Sequence, residues 1–193
     1  MHQGHGEKVF DLFFQQLTPA QRESIRVITG DGARWIDECA FRWCPQAERI
    51  LDGFHIVGWA TDALDKVRTA AWREARKTGT AGKGAKDPIK GARWALLKNG
   101  PDLAAGQKAQ LECVANTDET LWQAYKLKER LRMILKQTAE TAAPLLRQWA
   151  ADAFLSGIPG FVPLGEKIDR RRFDILRTIR SGLSNARLEA VNN

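Results

Sequence analysis

Ile25-Arg26-Val27-Ile28-Thr29-Gly30-Asp31-Gly32 is followed, after a helical stretch from Ala33 to Trp43, by Glu48-Arg49-Ile50-Leu51-Asp52-Gly53. Ser24 to Thr29 is β-branched and ends in Gly-Asp-Gly, which reads as a strand closed by a turn. Glu48 to Leu51 reads as a second short strand closed by Asp-Gly, and Pro45 stops the helix between the two. Strand, helix, strand predicts a parallel βαβ unit with a right-handed crossover. Asp31 and Asp52 then stand at the carboxyl ends of parallel strands, where α/β folds place ligands. Two strands are too few for a self-sufficient sheet, so a viable one needs partner strands that this chain does not contain.

Working outward, Val9 to Leu17 reads as a helix with Val9, Phe10, Phe13, Phe14 and Leu17 on a broad apolar stripe. Thr18-Pro19 starts another helical turn, with Thr18 at the N-cap and Pro19 at the first position. Val57 to Lys77 is a strong helix. Ala60, Leu64, Val67 and Ala71 form its seam, and Lys66, Arg73 and Lys77 lie on another face. Thr78 to Lys90, with three glycines, one proline and several lysines, reads as a loop. The pattern is helical from Ile89 to Ala153, broken once at Gly100-Pro101. Leu121, Leu127, Leu131 and Leu135 belong to one helix, and Leu145, Leu146, Trp149 and Phe154 to the next, which Gly157-Ile158-Pro159-Gly160 ends. Lys167 to Arg180 reads as one basic helix that Gly182 breaks. Ser184 or Asn185 caps a last piece carrying Glu189. The expected class is α/β and helix-rich.

The chain has 193 residues, 44% of them apolar, which is enough for one domain with a real core and a helical insertion. Its net charge is +7 and its pI about 9.6. That balance suits a polyanionic partner without identifying it. Three scattered cysteines, Cys39, Cys44 and Cys113, make neither a metal motif nor a disulfide framework and point to a reducing cytosol. The polar opening from Met1 to Lys8 does not read as a signal peptide. No apolar run approaches the ~20 residues that span a bilayer, so no membrane partner is expected. Most of the seven tryptophans fall inside helical patterns and read as core, with base stacking the less common role.

Strand-end carboxylates and a carboxylate on a facing helix are the donor set of two-metal phosphoryl transfer. Each also has a plainer role. Asp31 reads locally as a turn or capping residue more readily than as a ligand. Asp52 and His55 fit a turn aspartate with a locally bonded histidine. Glu189, with Asn185 one turn before it and Asn192 and Asn193 after, fits a solvent-facing helix glutamate. Two basic stretches matter as sums. One runs from Lys66 to Lys98 and includes Lys66, Arg73 and Lys77. The other runs from Lys167 to Arg187 and includes Arg170, Arg171, Arg172, Arg177 and Arg187. They lean toward neutralising nucleic-acid phosphates, through backbone rather than base contacts.

Three blocks carry a family resemblance. They are Ile28-Thr29-Gly30-Asp31-Gly32-Ala33-Arg34-Trp35-Ile36, then Cys44-Pro45-Gln46-Ala47-Glu48-Arg49-Ile50-Leu51-Asp52-Gly53-Phe54-His55-Ile56-Val57, then Trp59 to Arg68. Together they resemble the DDE transposases of bacterial insertion sequences, within them the ISL-three family. Leu183 to Asn193 is similar to that family's glutamate helix, and Tyr125 to Arg132 to its helical insertion. The resemblance implies a partial ribonuclease-H-like core with a large all-helical insertion. The expected boundaries are 1–77 for the core, 78–182 for the insertion and 183–193 for a terminal core helix. It implies two Mg²⁺ ions held by an Asp-Asp-Glu triad, with Asp31 as its second aspartate and Glu189 as its glutamate. Asp52, His55 and Asn185 would support them. It implies DNA, both element ends and target, as the partner, with a second copy or the full-length transposase beside it, and a cytoplasmic, nucleoid-associated location.

The family's first catalytic aspartate lies on a strand upstream of this region. Thirty residues precede Asp31 here, and Asp11, the one upstream aspartate, sits in a helical pattern. The expectation is therefore an internal fragment of a catalytic domain that binds metal weakly and is inactive alone. The alternative is a non-catalytic basic remnant that binds DNA or regulates transposition.

Overall fold

The computed structural model describes residues 6–79 and 88–182. The described residues form two strands and a succession of helices, divided between two compact units. The first unit is Met1–Ile56 with Asp174–Asn193, and the second is Val57–Phe173.

In the first unit, α1 (Glu7–Gln16), α2 (Pro19–Ser24), β1 (Val27–Gly30), α3 (Arg34–Trp43) and β2 (Glu48–Leu51) follow in order. The strands are parallel, pairing Val27 with Glu48 through Gly30 with Leu51. Phe14, Ile28, Ala40 and Cys44 form a buried cluster against which Phe10, Leu17, Ile25, Trp43 and Ala47 pack. Phe13, expected on the same stripe, is instead half exposed. The Thr18 cap is present as a full capping box. Thr18 Oγ1 accepts from the Gln21 N–H, and Gln21 Oε1 accepts from the Thr18 N–H. That box drives α2 through Ser24, so β1 begins at Val27, three residues later than its β-branched pattern suggests.

Among the described residues, the regular structure of the second unit is all helical. It holds most of α4 (Gly53–Lys77), whose first turn belongs to the first unit. It continues with α5 (Pro88–Gly91), α6 (Arg93–Leu97), α7 (Ala105–Thr117), α8 (Glu119–Ile134), α9 (Ala139–Leu155) and α10 (Val162–Arg170). Gly100–Asp102 makes the expected break as a 3₁₀ turn. The end of the predicted loop, from Pro88, is already helical. Leu121, Leu131, Leu146, Trp149, Phe161 and Ile168 are fully buried. The Trp149 indole N–H donates to the Leu127 carbonyl at 2.8 Å, which satisfies its one polar atom. Phe154 is half exposed, so it does not share the core with Trp149.

Two glycines let the backbone close up around α10. A Cβ at Gly165 would lie 2.8 Å from the Ala150 carbonyl oxygen of α9, and one at Gly160 would lie 2.9 Å from that of Ala63. Both are closer than a real Cβ approaches.

The basic stretch expected as one helix is two, α10 and α11 (Arg172–Ser181). Arg171, at φ −95° and ψ 7°, leaves the helical region. The Arg172 guanidinium caps the turn by donating to the Asp169 backbone carbonyl at 3.1 Å and carboxylate at 3.0 Å. Gly182 ends α11 at φ 61°, as expected. Among the described residues, no helix is long and apolar enough to cross a membrane.

Candidate functional site

Asp31 and Asp52 each follow the last paired residue of a parallel strand, Gly30 and Leu51. The Asp52 N–H donates to the Gly30 carbonyl at 2.9 Å, so both aspartates lie at one end of the sheet. Their surroundings differ. Asp31 is exposed, and its Oδ1 accepts from the Ala33 N–H at 2.9 Å across Gly32, whose φ is 83°. This is an Asx turn rather than the expected N-cap, because α3 starts one residue further on. Asp52 is 5% exposed. Its Oδ1 accepts from the Phe54 N–H at 2.9 Å, and its backbone carbonyl accepts from the N–H groups of His55 and Ile56. It therefore caps α4 and starts that helix at Gly53, four residues before the expected Val57. His55 Nε2 lies 3.7 Å from Asp52 Oδ2, with the ring half exposed.

The Arg49 guanidinium braces the sheet beneath this end. It pairs with Asp37 at 2.7 Å and donates to the Ile28 and Ile50 carbonyls. A Cβ at Gly30 would meet it at 2.7 Å, so a side chain before Asp31 would have to push the Arg49 guanidinium aside.

Thr178 of α11 was not singled out in the sequence, yet it reaches the same end of the sheet. Its Oγ1 donates to the Leu51 carbonyl at 2.7 Å in a buried setting. The available signal was the pairing of Thr178 with Ile175 three residues earlier, an inward face hidden among arginines. Thr178→Val keeps the shape and removes the donor, leaving a buried carbonyl unpaired. It is expected to cost about 1–2 kcal/mol in urea denaturation; no measurable loss would show that the hydroxyl does not hold α11 there. Glu189, Asn185 and Arg187 lie outside the described residues.

A carboxylate that is exposed, oxygen-only and tied by a single backbone donor keeps lone pairs for a hard divalent cation, which favours such ligands. Asp31 fits that description. Asp52 fits a positioning role better, since its Oδ1 is committed to the α4 turn. Among the described residues, the one group of three potential ligands within reach of each other is Glu7, Asp11 and Cys39. Asp11 there takes the Trp43 indole N–H at 2.6 Å, Arg42 at 2.9 Å and the Cys39 thiol at 3.4 Å. The Trp43 hydrogen bond, with Cys39 and Arg42, holds its carboxyl below the usual range. Burial, and then Asp11, push the Cys39 thiol up to about 11. The group is a protonated thiol and a committed carboxylate that tie α1 to α3, not a soft metal centre.

The basic candidates separate by partner. Lys66 and Arg73 on α4 and Arg170 on α10 are exposed, with no acidic partner among the described residues. Lys77 keeps a loose 3.5 Å pair with the exposed Glu74. Arg171 is half-buried at the end of α10. Arg172 is turned onto Asp169, and Arg177 is paired with Asp174 one turn before it. Lys66, Arg73 and Lys77 are seven and four residues apart, which aligns them along one stripe of α4. The tryptophans are less internal than their helical setting suggested. Trp149 alone among the seven is fully buried, and several others are covered by cations instead.

A family model of the ISL-three DDE type, described as Transposase, matches residues 1–193. The transposase for insertion sequence element IS1557 of Mycobacterium tuberculosis (strain ATCC 25618 / H37Rv) is 36% identical over 206 residues, covering 98% of this chain and 46% of that protein. The transposase for insertion sequence element IS1001 of Bordetella parapertussis is 26% identical over 192 residues, with the same coverage of 98% and 46%. The chain thus spans about half the length of the curated relatives it matches. No solved structure matches it.

Proposed function

This chain belongs to the ISL-three family of DDE transposases, and we propose on that footing that it forms part of a catalytic domain that cuts and joins DNA strands with divalent metal ions. The observation that carries this is the parallel strand pair that brings Asp31, exposed, and Asp52, capping α4, to one sheet end. In this reading β1, α3 and β2 belong to a ribonuclease-H-like core, and the helices from about residue 78 to 182 are an insertion into it. Residues 183–193, outside the described residues, would carry the family's glutamate. The Thr178 bond fixes α11 beside β2, eleven residues before Glu189 in the sequence.

Asp31 and Glu189 would hold Mg²⁺. Bound metal supplies Lewis-acid stabilisation of the phosphoryl oxygens and lowers the pKa of the attacking water or hydroxyl. The protein's own part is to fix the ligands. The Asx turn sets the direction of the Asp31 carboxylate, the bare Gly30 keeps its strand on Arg49, and Asp52 pins the start of α4 beside it. Lys66, Arg73, Lys77 and Arg170 offer charge to the phosphate backbone, with Arg171, Arg172, Arg177 and Arg187 secondary. DNA ends, target DNA and further transposase copies are the partners.

Asp11 is bound up in α1, so this chain offers two carboxylates of a three-carboxylate set. The 193-residue polypeptide by itself is therefore expected to leave element-end DNA uncut in Mg²⁺ while still retarding it on a gel. Robust cutting by this polypeptide alone, abolished by Asp31→Ala, would overturn the two-carboxylate reading. An inactive regulatory remnant is the second reading, favoured by the same basic side chains. It predicts that DNA binding persists with Asp31 replaced.

A further inference from the structure

Trp94 lies on α6 and is 67% exposed. The Arg93 guanidinium stands 5.1 Å from its ring centroid. Four residues earlier, the Lys90 ammonium lies 5.8 Å from the Trp72 ring, whose other cation, Arg76, is 5.2 Å away. Lys90 is thereby held against the Trp72–Arg76 face of α4, the helix that also carries Arg73 and Lys77. Across residues 66–79 and 88–98, Glu74 is the single acid, against eight lysines and arginines. Of those eight, Arg68 is buried and paired with Asp65.

An indole two-thirds exposed gains little for the fold, because most of its area is left in water. A cation over an aromatic ring is held in place by the ring and keeps its charge. A flat π-face beside a positive track is what sequence-tolerant binders of unpaired nucleic acid present. The track takes the phosphates and the ring takes a base. A closed duplex offers phosphates but keeps its base faces stacked inside, so it engages the track and not the indole. We infer that the α4–α6 surface of the helical unit binds unpaired DNA, with one base stacked on Trp94 and the flanking phosphates on the α4 stripe.

This rests on the DNA-directed reading above but needs neither metal nor Glu189, so the two can fail separately. The test is fluorescence anisotropy of the 193-residue chain with a labelled oligothymidylate and with a blunt duplex of equal length, across a salt series. Trp94→Ala is expected to weaken oligothymidylate binding about tenfold, the size of one base–indole stack, with duplex affinity unchanged. Its salt slope should match the parent's, because no phosphate contact is removed. Trp94→Phe should keep most of the affinity, and Arg73→Gln should lower the slope by about one. Trp94 is exposed, so an unaltered circular dichroism spectrum is expected for both ring variants. Equal oligothymidylate affinity for the parent and Trp94→Ala, or equal losses on both DNA forms, would overturn the inference while leaving the transposase reading intact. No binding of either form at low salt would overturn both.

Discussion

Asp31→Asn is expected to abolish divalent-cation-dependent strand cleavage while leaving the protein folded. The substitution removes the negative charge but keeps the oxygen that accepts from the Ala33 N–H, so the Asx turn survives. Asp31 is exposed and stability should move by less than about 0.5 kcal/mol. Metal ligation is another matter, because an amide oxygen is a far poorer ligand for Mg²⁺ than a carboxylate. Losing several kcal/mol of transition-state stabilisation corresponds to a rate loss on the order of 10³-fold or more. The suitable assay places this chain in the matched span of the IS1557 transposase and follows nicking of plasmid-borne element ends. Asp52→Ala is the instructive comparison. It strips the cap from α4 at a cost of roughly 1–2 kcal/mol, so its activity loss should track its stability loss. Cleavage by Asp31→Asn within about tenfold of the parent would overturn the proposed metal-ligand role of Asp31.

Lys128→Met should be the most destabilising conservative change in the helical unit. Lys128 is 1% exposed, and its ammonium donates to the Leu96 and Lys98 carbonyls at 2.8 Å each, tying the end of α6 to α8. It also stands 3.0 Å from Glu129 and over the Tyr125 ring. Methionine fills the space and leaves two carbonyls and one carboxylate without that partner. Breaking one side of such a buried group costs roughly 3–5 kcal/mol, or a melting temperature lower by about 10 °C in a chain of this size. A loss below about 1 kcal/mol would mean that water replaces the ammonium.

The same cluster sets an acid-side pH dependence. Burial alone would lift the Glu129 carboxyl. The Arg132 hydrogen bonds, the Lys128 ammonium and the Gly100 N–H together hold it below its ordinary 4.5. Below that value the unfolded chain takes up the proton first, so stability is lost as the pH is lowered there. Burial lowers the Lys128 pKa, so the folded chain releases that proton first on the alkaline side, and stability rises with pH there. In Lys128→Met the Glu129 contribution should shrink and the alkaline rise should vanish.

The parallel pair was legible because its punctuation is local. Pro45 stops α3, Asp52-Gly53 closes β2, and Thr18-Pro19 opens α2. Where readings slipped, a side chain acting over a few residues outweighed pattern. The Gln21 half of the capping box carried α2 through Ser24, and Asp52 drew the start of α4 back to Gly53. The break at Arg171 has no glycine or proline to announce it, because Arg172 folding back on Asp169 makes the turn. Lysine is the residue least expected in a core, so nothing in the chain marks Lys128 as internal. At the site, Asp31 was legible as a strand-end carboxylate. The division of labour between it and Asp52 was not, since burial separates them and both read as Asp-Gly.

The tight seats of Gly160 and Gly165 have a genetic corollary. Glycine codons reach only residues that carry a Cβ when one base changes to give a missense allele. Each such allele forces a backbone oxygen aside in the helical unit, far along the chain from Asp31. A copy of the gene drifting without selection would thus lose its architecture readily through these two codons.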